Sequence, residues 1–586
     1  WDAHVGVHHY YLGMLVGSAL VLAALAAAGR PTGPASRLHR ARMSVRAQAT
    51  VAPAEDVDSP WDAQTWRETY RTAPSEESYT VQAEGLPEDL VGTFYRNGPG
   101  NFDYAKHPFD GDGMIVAVTL DGSGTAHFRN RFVRTKGYVL EQRAGKELYS
   151  GSFSSPKPIW AGGLEPKNTA NTNVVWWGGR LLALWEGGRP HLLDEVSLAT
   201  SRETNLGGVL KASDAFSAHP RMDVERKRFV NFGYKPNPLT GTSVSFYEFN
   251  DDFRPLNVER PVTQQITMPG FAFVHDMALT RNFYIVTQPP LQFEGAMDAL
   301  LGSKPLGSCF SFDDSKPSCV WLVPRAGGKP IVIEVDTHFS FHYANAFEND
   351  QGKVVLDVIR APEFAVGSQD ADASVPVWES TDYEKEVPMS TYWRYTLDPR
   401  TGTHEKREVF SRYCDFPVVN PARSAQQHRY AYCATGARAG VPSAFRGVAR
   451  VDAEEGEHEI WLAPEANQLV GEPVYAPRAG SDGSDDDGYL LTFMHDGSRD
   501  GKATLLVLRA DAVAQGPVAQ VELDNYLPNG LHGTFVPGLT PTEEEIVQAT
   551  KLMNLYARKS QEWNTVDGSF TGLGFKQLFQ KGVDGR

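Results

Sequence analysis

From Trp61 onward the chain alternates apolar and polar residues in short runs bounded by Gly, Pro, Asn or Asp. Arg180–Glu186 (RLLALWE), Ser243–Phe249 (SVSFYEF), Phe283–Thr287, Pro330–Val335, Lys353–Ile359, Tyr392–Leu397 and Thr504–Leu508 are aromatic or β-branched stretches. Their length and flanks predict strands. Turn chemistry is explicit at Asp398-Pro399-Arg400-Thr401-Gly402, so Tyr392–Leu397 turns back into the polar run that follows. Many short strands with few helices predict an all-β sandwich, barrel or propeller, and a chain of 586 residues favours the propeller.

Two segments have helical spacing instead. Phe293, Met297, Leu300 and Leu301 recur at i, i+4, i+7 and i+8 with Glu294 and Asp298 beside them, predicting a short amphipathic helix. Its apolar stripe is a candidate membrane and substrate entrance, and the competing reading is a helix packed on the body. Near the C-terminus, Thr540-Pro541-Thr542-Glu543 has capping-box spacing with Pro at the first helical position, predicting a helix to about Trp563. The expected organisation is a body over 61–539 and a C-terminal helical extension over 540–586.

Residues 1–60 follow different rules. Tyr10–Gly29 is uncharged and apolar, about the length of a bilayer span. Five arginines follow between Arg30 and Ala54 with no acid before Glu55. That composition matches organelle transit peptides, so a plastid address is expected, with a secretory signal or membrane anchor as the alternatives. No second long apolar run follows, and the body is expected to be soluble or peripheral to a membrane.

Composition removes several classes of function. Hydrophobic residues at 41% and charged residues at 22% are ordinary for a globular chain and argue against disorder or a polytopic membrane protein. A net charge of −16 argues against nucleic acid as a partner, because phosphate neutralisation needs clustered Lys and Arg. Cys309, Cys319, Cys414 and Cys433 form no C-x-x-C pair and no disulfide framework, so reduced, mostly buried thiols are expected. The acidic run Gly480–Gly488 (GSDGSDDDG) lacks the spacing of a calcium loop and reads as a solvated hairpin tip.

Candidate chemistry lies in four histidines: His219 (FSAHP), His275 (FVHD), His342 (FHYANAF) and His532 (GLHG). Imidazole is the commonest metal ligand, and ligands this far apart need a rigid scaffold to converge. Neutral ligands leave the full metal charge in place, and each ring needs an acceptor to fix its tautomer. Glu186 in LALWEGG, Asp415 in YCDFPVV and Glu472 in GEPVY lie in apolar settings where a lone charge is costly, so each is expected to have a partner. Asp110 and Asp112 in FDGDG are expected to be turn residues instead.

Around these residues run ordered segments: Gly92–Gly100 (GTFYRNGPG), Pro108–Met114 (PFDGDGM), Asn171–Val174 (NTNV), Leu181–Glu186 (LLALWE), Phe216–Pro220, Gly270–Asp276 (GFAFVHD), Phe341–Glu348 (FHYANAFE), Phe416–Val419 (FPVV), Gly471–Pro473 and Leu531–Gly533. In this order, from about Glu84 to Pro537, they resemble the carotenoid cleavage oxygenase family, most of all the cyanobacterial-type apocarotenoid 15,15′-oxygenases.

The resemblance implies a seven-bladed β-propeller with Fe(II) on its axis under a dome of helices and loops. His219, His275, His342 and His532 would be the ligands, and Glu186, Asp415 and Glu472 would accept hydrogen bonds from three of them. Asp stands at 415 where the family usually has Glu, one methylene longer. His338 falls outside the F-H-x-x-N pattern and is expected to be structural or exposed. The implied reaction splits a polyene double bond with O2 into two carbonyl products inside an apolar tunnel. A 15,15′ cut of an apocarotenal is the first expectation. Cleavage of forty-carbon carotenoids at 9,10 or 11,12, and a same-family isomerase, follow it. A non-catalytic propeller platform and a zinc hydrolase are the readings from other classes.

Overall fold

The computed structural model describes residues 61–552 apart from 163–165, 238 and 367–374. Its strands form seven antiparallel sheets of four or five strands and one separate two-stranded hairpin. The seven sheets are the blades of a β-propeller. One blade shows the pattern: Arg221–Asp223, Arg228–Asn237, Gly241–Phe249 and Val262–Met268 pair in chain order as a meander. Apolar side chains on the blade faces meet between blades, where Val230, Phe232 and Phe246 of this blade pack with Tyr284, Val286 and Trp321 of the next.

One blade joins the two ends of the propeller chain. Gly533–Pro537 pairs with Val91–Asn101, placing Pro537 opposite Gly92 and Gly533 opposite Arg96. Gly92 is required at this seam, because a Cβ there would lie 2.4 Å from the Val536 carbonyl oxygen. The short first strands of the blades face the axis and touch their neighbours round the ring. Ala278–Leu279 meets Tyr343–Glu348, which in turn meets Cys414–Val418. Over one end of the axis sit the short helices Ala63–Glu68, Val377–Ser380 and Tyr383–Glu386 and long connections, forming the dome.

Local structure departs from expectation at several places. The helix spans Ala296–Leu301 between Gly295 and Gly302, while Phe293 ends the strand Leu291–Phe293 and pairs with Phe310. Gly295 interrupts the helical spacing, and a cross-strand aromatic pair outweighs it. The C-terminal capping box lies two residues later than expected, at Thr542 and Glu545. Pro541 holds Thr540 out of the helical region, so helix begins at 543. The expected helix end at Trp563 and the apolar stretch Tyr10–Gly29 lie outside the described residues.

The acidic loop is tied down, not merely solvated. Asp485, Asp486 and Asp487 pair with Arg423, Arg450 and Arg478. Asp110 and Asp112 are buried and do more than turn the chain. Asp110 accepts from the Ser152 backbone N–H and the Ser154 hydroxyl, and Asp112 lies 3.1 Å from Lys167 Nζ. All four cysteines are free thiols, with Cys309, Cys414 and Cys433 buried. No helix among the described residues is long and apolar enough to cross a membrane.

Candidate metal centre

The four histidines each sit just before or at the start of an innermost strand, in four different blades. His219 precedes Arg221–Asp223, His275 precedes Ala278–Leu279, His342 abuts Tyr343–Glu348 and His532 abuts Gly533–Pro537. Glu186, Asp415 and Glu472 come from the remaining three. Seven blades thus deliver four imidazoles and three carboxylates to one end of the axis.

Asparagines and an aspartate, most of them in the ordered segments, hold the ligand loops. Asn173 Nδ2 donates to the Ala218 carbonyl at 2.6 Å and Asn231 Nδ2 to the Ser217 carbonyl at 2.8 Å, fixing the backbone before His219. The His532 N–H donates to the Thr172 carbonyl at 3.1 Å, and its own carbonyl accepts from Asn97 N–H at 2.8 Å. Asp276 links two ligand loops, because it accepts from Arg221 at 2.6 Å and from the Tyr343 backbone N–H at 2.9 Å.

The result is a tight cluster. One ring nitrogen from each of His219, His275, His342 and His532 lies within 4.8 Å of the others. His275 Nδ1 is 2.5 Å from Glu186 Oε2, His342 Nδ1 is 2.7 Å from Asp415 Oδ1 and His532 Nδ1 is 2.7 Å from Glu472 Oε1. An ionised carboxylate only accepts, so each Nδ1 carries the proton and each Nε2 keeps a lone pair. His219 has no carboxylate partner among the described residues.

These three nitrogens converge with a ring nitrogen of His219 on one point. His219 Nε2 and His275 Nε2 are 2.9 Å apart, and His342 Nε2 is buried without a hydrogen-bond partner. An unmatched buried acceptor is costly, whereas a cation at the centre satisfies all of them at once. The donor set therefore fits a metal ion. Burial, reinforced by the neighbouring imidazoles, holds His219 and His532 well below the ordinary histidine range and so keeps them neutral. Burial also pulls His275 down, but attraction to Glu186 and the hydrogen bond that the ring donates to it outweigh this and leave the ring raised.

Arg96 completes the site, and its role was not legible in the sequence. Its guanidinium Nη1 donates to Glu472 Oε2 at 2.9 Å, with both side chains 6% exposed. Burial pushes Glu472 up to about 7 against the pull of Arg96. Three donors, from Arg96, His532 and the Gly533 backbone N–H, favour the carboxylate. The one available signal was a lone cation inside the otherwise uncharged GTFYRNGPG strand.

Asp415 reaches His342 directly despite its shorter side chain. The pairing between Cys414–Val418 and its neighbour shifts register after Asp415, and Phe416 adopts φ 55°, in the left-handed region. This bulge presents the short acid to the ring, and the Phe416 N–H donates to the same carboxylate oxygen at 2.7 Å. His338 is structural: it is buried, bonded to the Asp336 carbonyl and set against Tyr395, away from the cluster.

His275, His342 and His532 open onto a cavity of about 290 Å³ beneath the dome. Aromatic rings form much of its wall, with Phe341 5.2 Å from the His275 ring and Phe416 5.3 Å from the His532 ring. Of the expected entrance residues, Phe293, Met297 and Leu301 are exposed and Leu300 half-buried. None of the four lines the cavity itself.

Residues 68–537 match the family model described as retinal pigment epithelial membrane protein. Apocarotenoid-15,15′-oxygenase of Synechocystis sp. is 37% identical over 511 residues, covering 84% of this chain and 99% of that one. Carotenoid 9,10(9′,10′)-cleavage dioxygenase 1 of Arabidopsis thaliana is 27% identical over 79% of this chain and 87% of its own. The structure of cobalt-substituted Synechocystis ACO superposes with a TM-score of 0.75 and 35% identity, covering 82% of this chain and all of that one. Four histidines on a propeller axis, three carboxylates behind them and these likenesses place the chain in the carotenoid cleavage oxygenase family.

Proposed function

We propose that the chain is a non-heme Fe(II) dioxygenase that cleaves a conjugated double bond of an apocarotenoid, at the 15,15′ position. The observation that carries this reading is the convergence of four imidazole nitrogens, three of them with their protons held outward by carboxylates, beside an aromatic cavity. His219, His275, His342 and His532 would hold the ion. Held by these four neutral ligands, Fe(II) would supply redox chemistry with O2 as co-substrate. The overall reaction adds both oxygen atoms across one C=C bond and yields two C=O products.

The protein's own residues do the rest. Glu186, Asp415 and Glu472 hold three Nδ1 protons and thereby fix the orientation of their rings. Phe341 and Phe416 exclude water beside the histidines and confine a flat polyene to the cavity. No proton donor to the substrate is required, because the reaction moves no proton overall.

The 15,15′ position rests on likeness to the Synechocystis enzyme over nearly its whole length. Cleavage at 9,10 is the second reading, since relatives named for that position match across most of the chain. Loading the full chain anaerobically with Fe(II), then adding O2 and β-apo-8′-carotenal, tests both. Two aldehydes with the chain lengths of a 15,15′ cut are expected. A single rearranged product, equal turnover with Zn(II), or cleavage without iron would overturn the oxygenase reading.

A further inference from the structure

Two unlike limbs of cavity wall leave the histidines, one from His275 and one from His532. From His275 the wall is formed by Phe273, at 6.1 Å between rings, which is backed by the packed rings of Phe310 and Phe364. His107 lines this side but has nothing left to offer, because its Nε2 is bonded to the Val366 carbonyl and its Nδ1 accepts from the Phe109 N–H. This limb is hydrocarbon in character.

The other limb ends in phenols. From His532 the ring contacts pass through Phe416 at 5.3 Å, Phe445 at 5.8 Å, Tyr413 at 5.3 Å and Tyr383 at 6.2 Å. Tyr383 and Tyr413 both line the cavity, and their hydroxyl oxygens are 3.1 Å apart. Burial raises both phenols, so both keep their protons. Two hydroxyls own two protons, yet the pair makes one hydrogen bond among the described residues, the one between its members. One O–H proton therefore remains uncommitted in an aromatic wall, where leaving it unpaired is costly. The neighbouring threonine hydroxyls do not absorb it: Thr381 Oγ1 donates to the Val377 carbonyl and Thr69 Oγ1 to the Trp66 carbonyl.

We propose that the Tyr383–Tyr413 pair recognises an oxygen at one end of the polyene, so that the substrate is an oxygen-terminated apocarotenoid in preference to a hydrocarbon carotene. The inference rests on the oxygenase reading above and adds the orientation of the substrate. The oxygen end lies against Tyr383 and Tyr413 and the hydrocarbon end against Phe273. The bond presented to the four histidines is then counted from the anchored oxygen, which makes the pair a determinant of cleavage position as well as of substrate class. A carbonyl accepts the free proton, whereas a terminal hydroxyl can both accept it and donate to a phenol lone pair.

The test uses iron-loaded full-length protein under nitrogen, where substrate binds without turnover. A hydrogen bond donated to a conjugated carbonyl shifts its absorption to longer wavelength. Bound β-apo-8′-carotenal should therefore absorb further to the red in the wild type than in the double variant Tyr383→Phe/Tyr413→Phe, and its Kd should rise about tenfold in the variant. Each single variant keeps one phenol able to donate and should lose little, so the two losses are not additive. After O2 is admitted, the ratio of kcat/KM for the aldehyde over the methyl-terminated polyene of equal length should fall about tenfold in the double variant. The terminal alcohol, run in parallel, separates carbonyl from hydroxyl recognition.

Unchanged iron content in each variant shows that the propeller is intact, and the wild-type comparison of aldehyde with hydrocarbon still decides if the double variant fails to fold. The proposal is overturned if the band position and Kd match between wild type and double variant, or if the wild type binds the hydrocarbon as tightly as the aldehyde. Tight, red-shifted binding with no cleavage of any polyene would instead sink the oxygenase reading and leave the recognition site standing.

Discussion

Asp415 is one methylene shorter than glutamate, and the backbone makes up the difference. The register shift and the left-handed Phe416 bring its Oδ1 to 2.7 Å from His342 Nδ1. A left-handed φ costs a non-glycine residue on the order of 1 kcal/mol, which the Phe416 ring contacts with His342 and His532 help to offset. Removing the charge in Asp415→Asn should weaken Fe(II) binding by about 10- to 100-fold, the usual effect of losing a partner behind a metal ligand. Asp415→Glu should also weaken it, since the longer acid is pushed into a backbone already shaped for the shorter one. Iron titration of the full chain measures both. Wild-type affinity in Asp415→Glu would show that the bulge does not set the contact.

At the level of elements, the seam between Gly533–Pro537 and Val91–Asn101 holds both the ring closure and His532. Phe535 anchors it, packed into the large cluster with Phe94, Val118 and Leu491. Phe535→Ala should cost about 3–5 kcal/mol by cavity formation, seen as a lower midpoint in urea unfolding. Iron affinity should fall with it, because His532 is the residue before that strand. A midpoint shift without loss of iron would separate the seam from the site. Much of this was legible along the chain: alternation located the strands, and ordered motifs located the four histidines and three acids. The pairings were not, because Glu186–His275, Asp415–His342 and Glu472–His532 join residues 89, 73 and 60 positions apart. Blade order sets those partners, and no local pattern encodes it. Phe293 failed for the opposite reason, since correct helical spacing was overridden by a cross-strand ring contact 5.7 Å away. Tyr383 and Tyr413 were invisible as a pair, because composition counts aromatic residues without saying which share a wall.

On the scale of the whole molecule, an insoluble substrate has to reach a site enclosed by a dome. Trp160 at 74% exposure, Met297 at 51% and Leu301 at 54% are large apolar side chains left in solvent, and Phe293 is exposed at 37%. They belong to neighbouring segments, because a Cβ on Gly302 would lie 2.4 Å from the Pro158 nitrogen. The hairpin that leads into the helix Ala296–Leu301 also starts the hydrocarbon limb, with Phe293 against Phe310 and Phe310 against Phe273, whose ring lies beside His275. A lipid surface docked on this face would lie over a continuous run of packed aromatic rings that ends at His275, so we propose peripheral membrane contact here. Met297→Lys/Leu301→Lys places two charges in the patch and leaves the half-buried Leu300 and these rings untouched. Co-sedimentation with liposomes should drop several-fold. Cleavage of detergent-dispersed substrate should persist, because neither residue lines the cavity. Equal liposome binding by variant and wild type would remove this face as the membrane contact, and loss of the detergent assay alone would make the helix a structural support for the cavity wall.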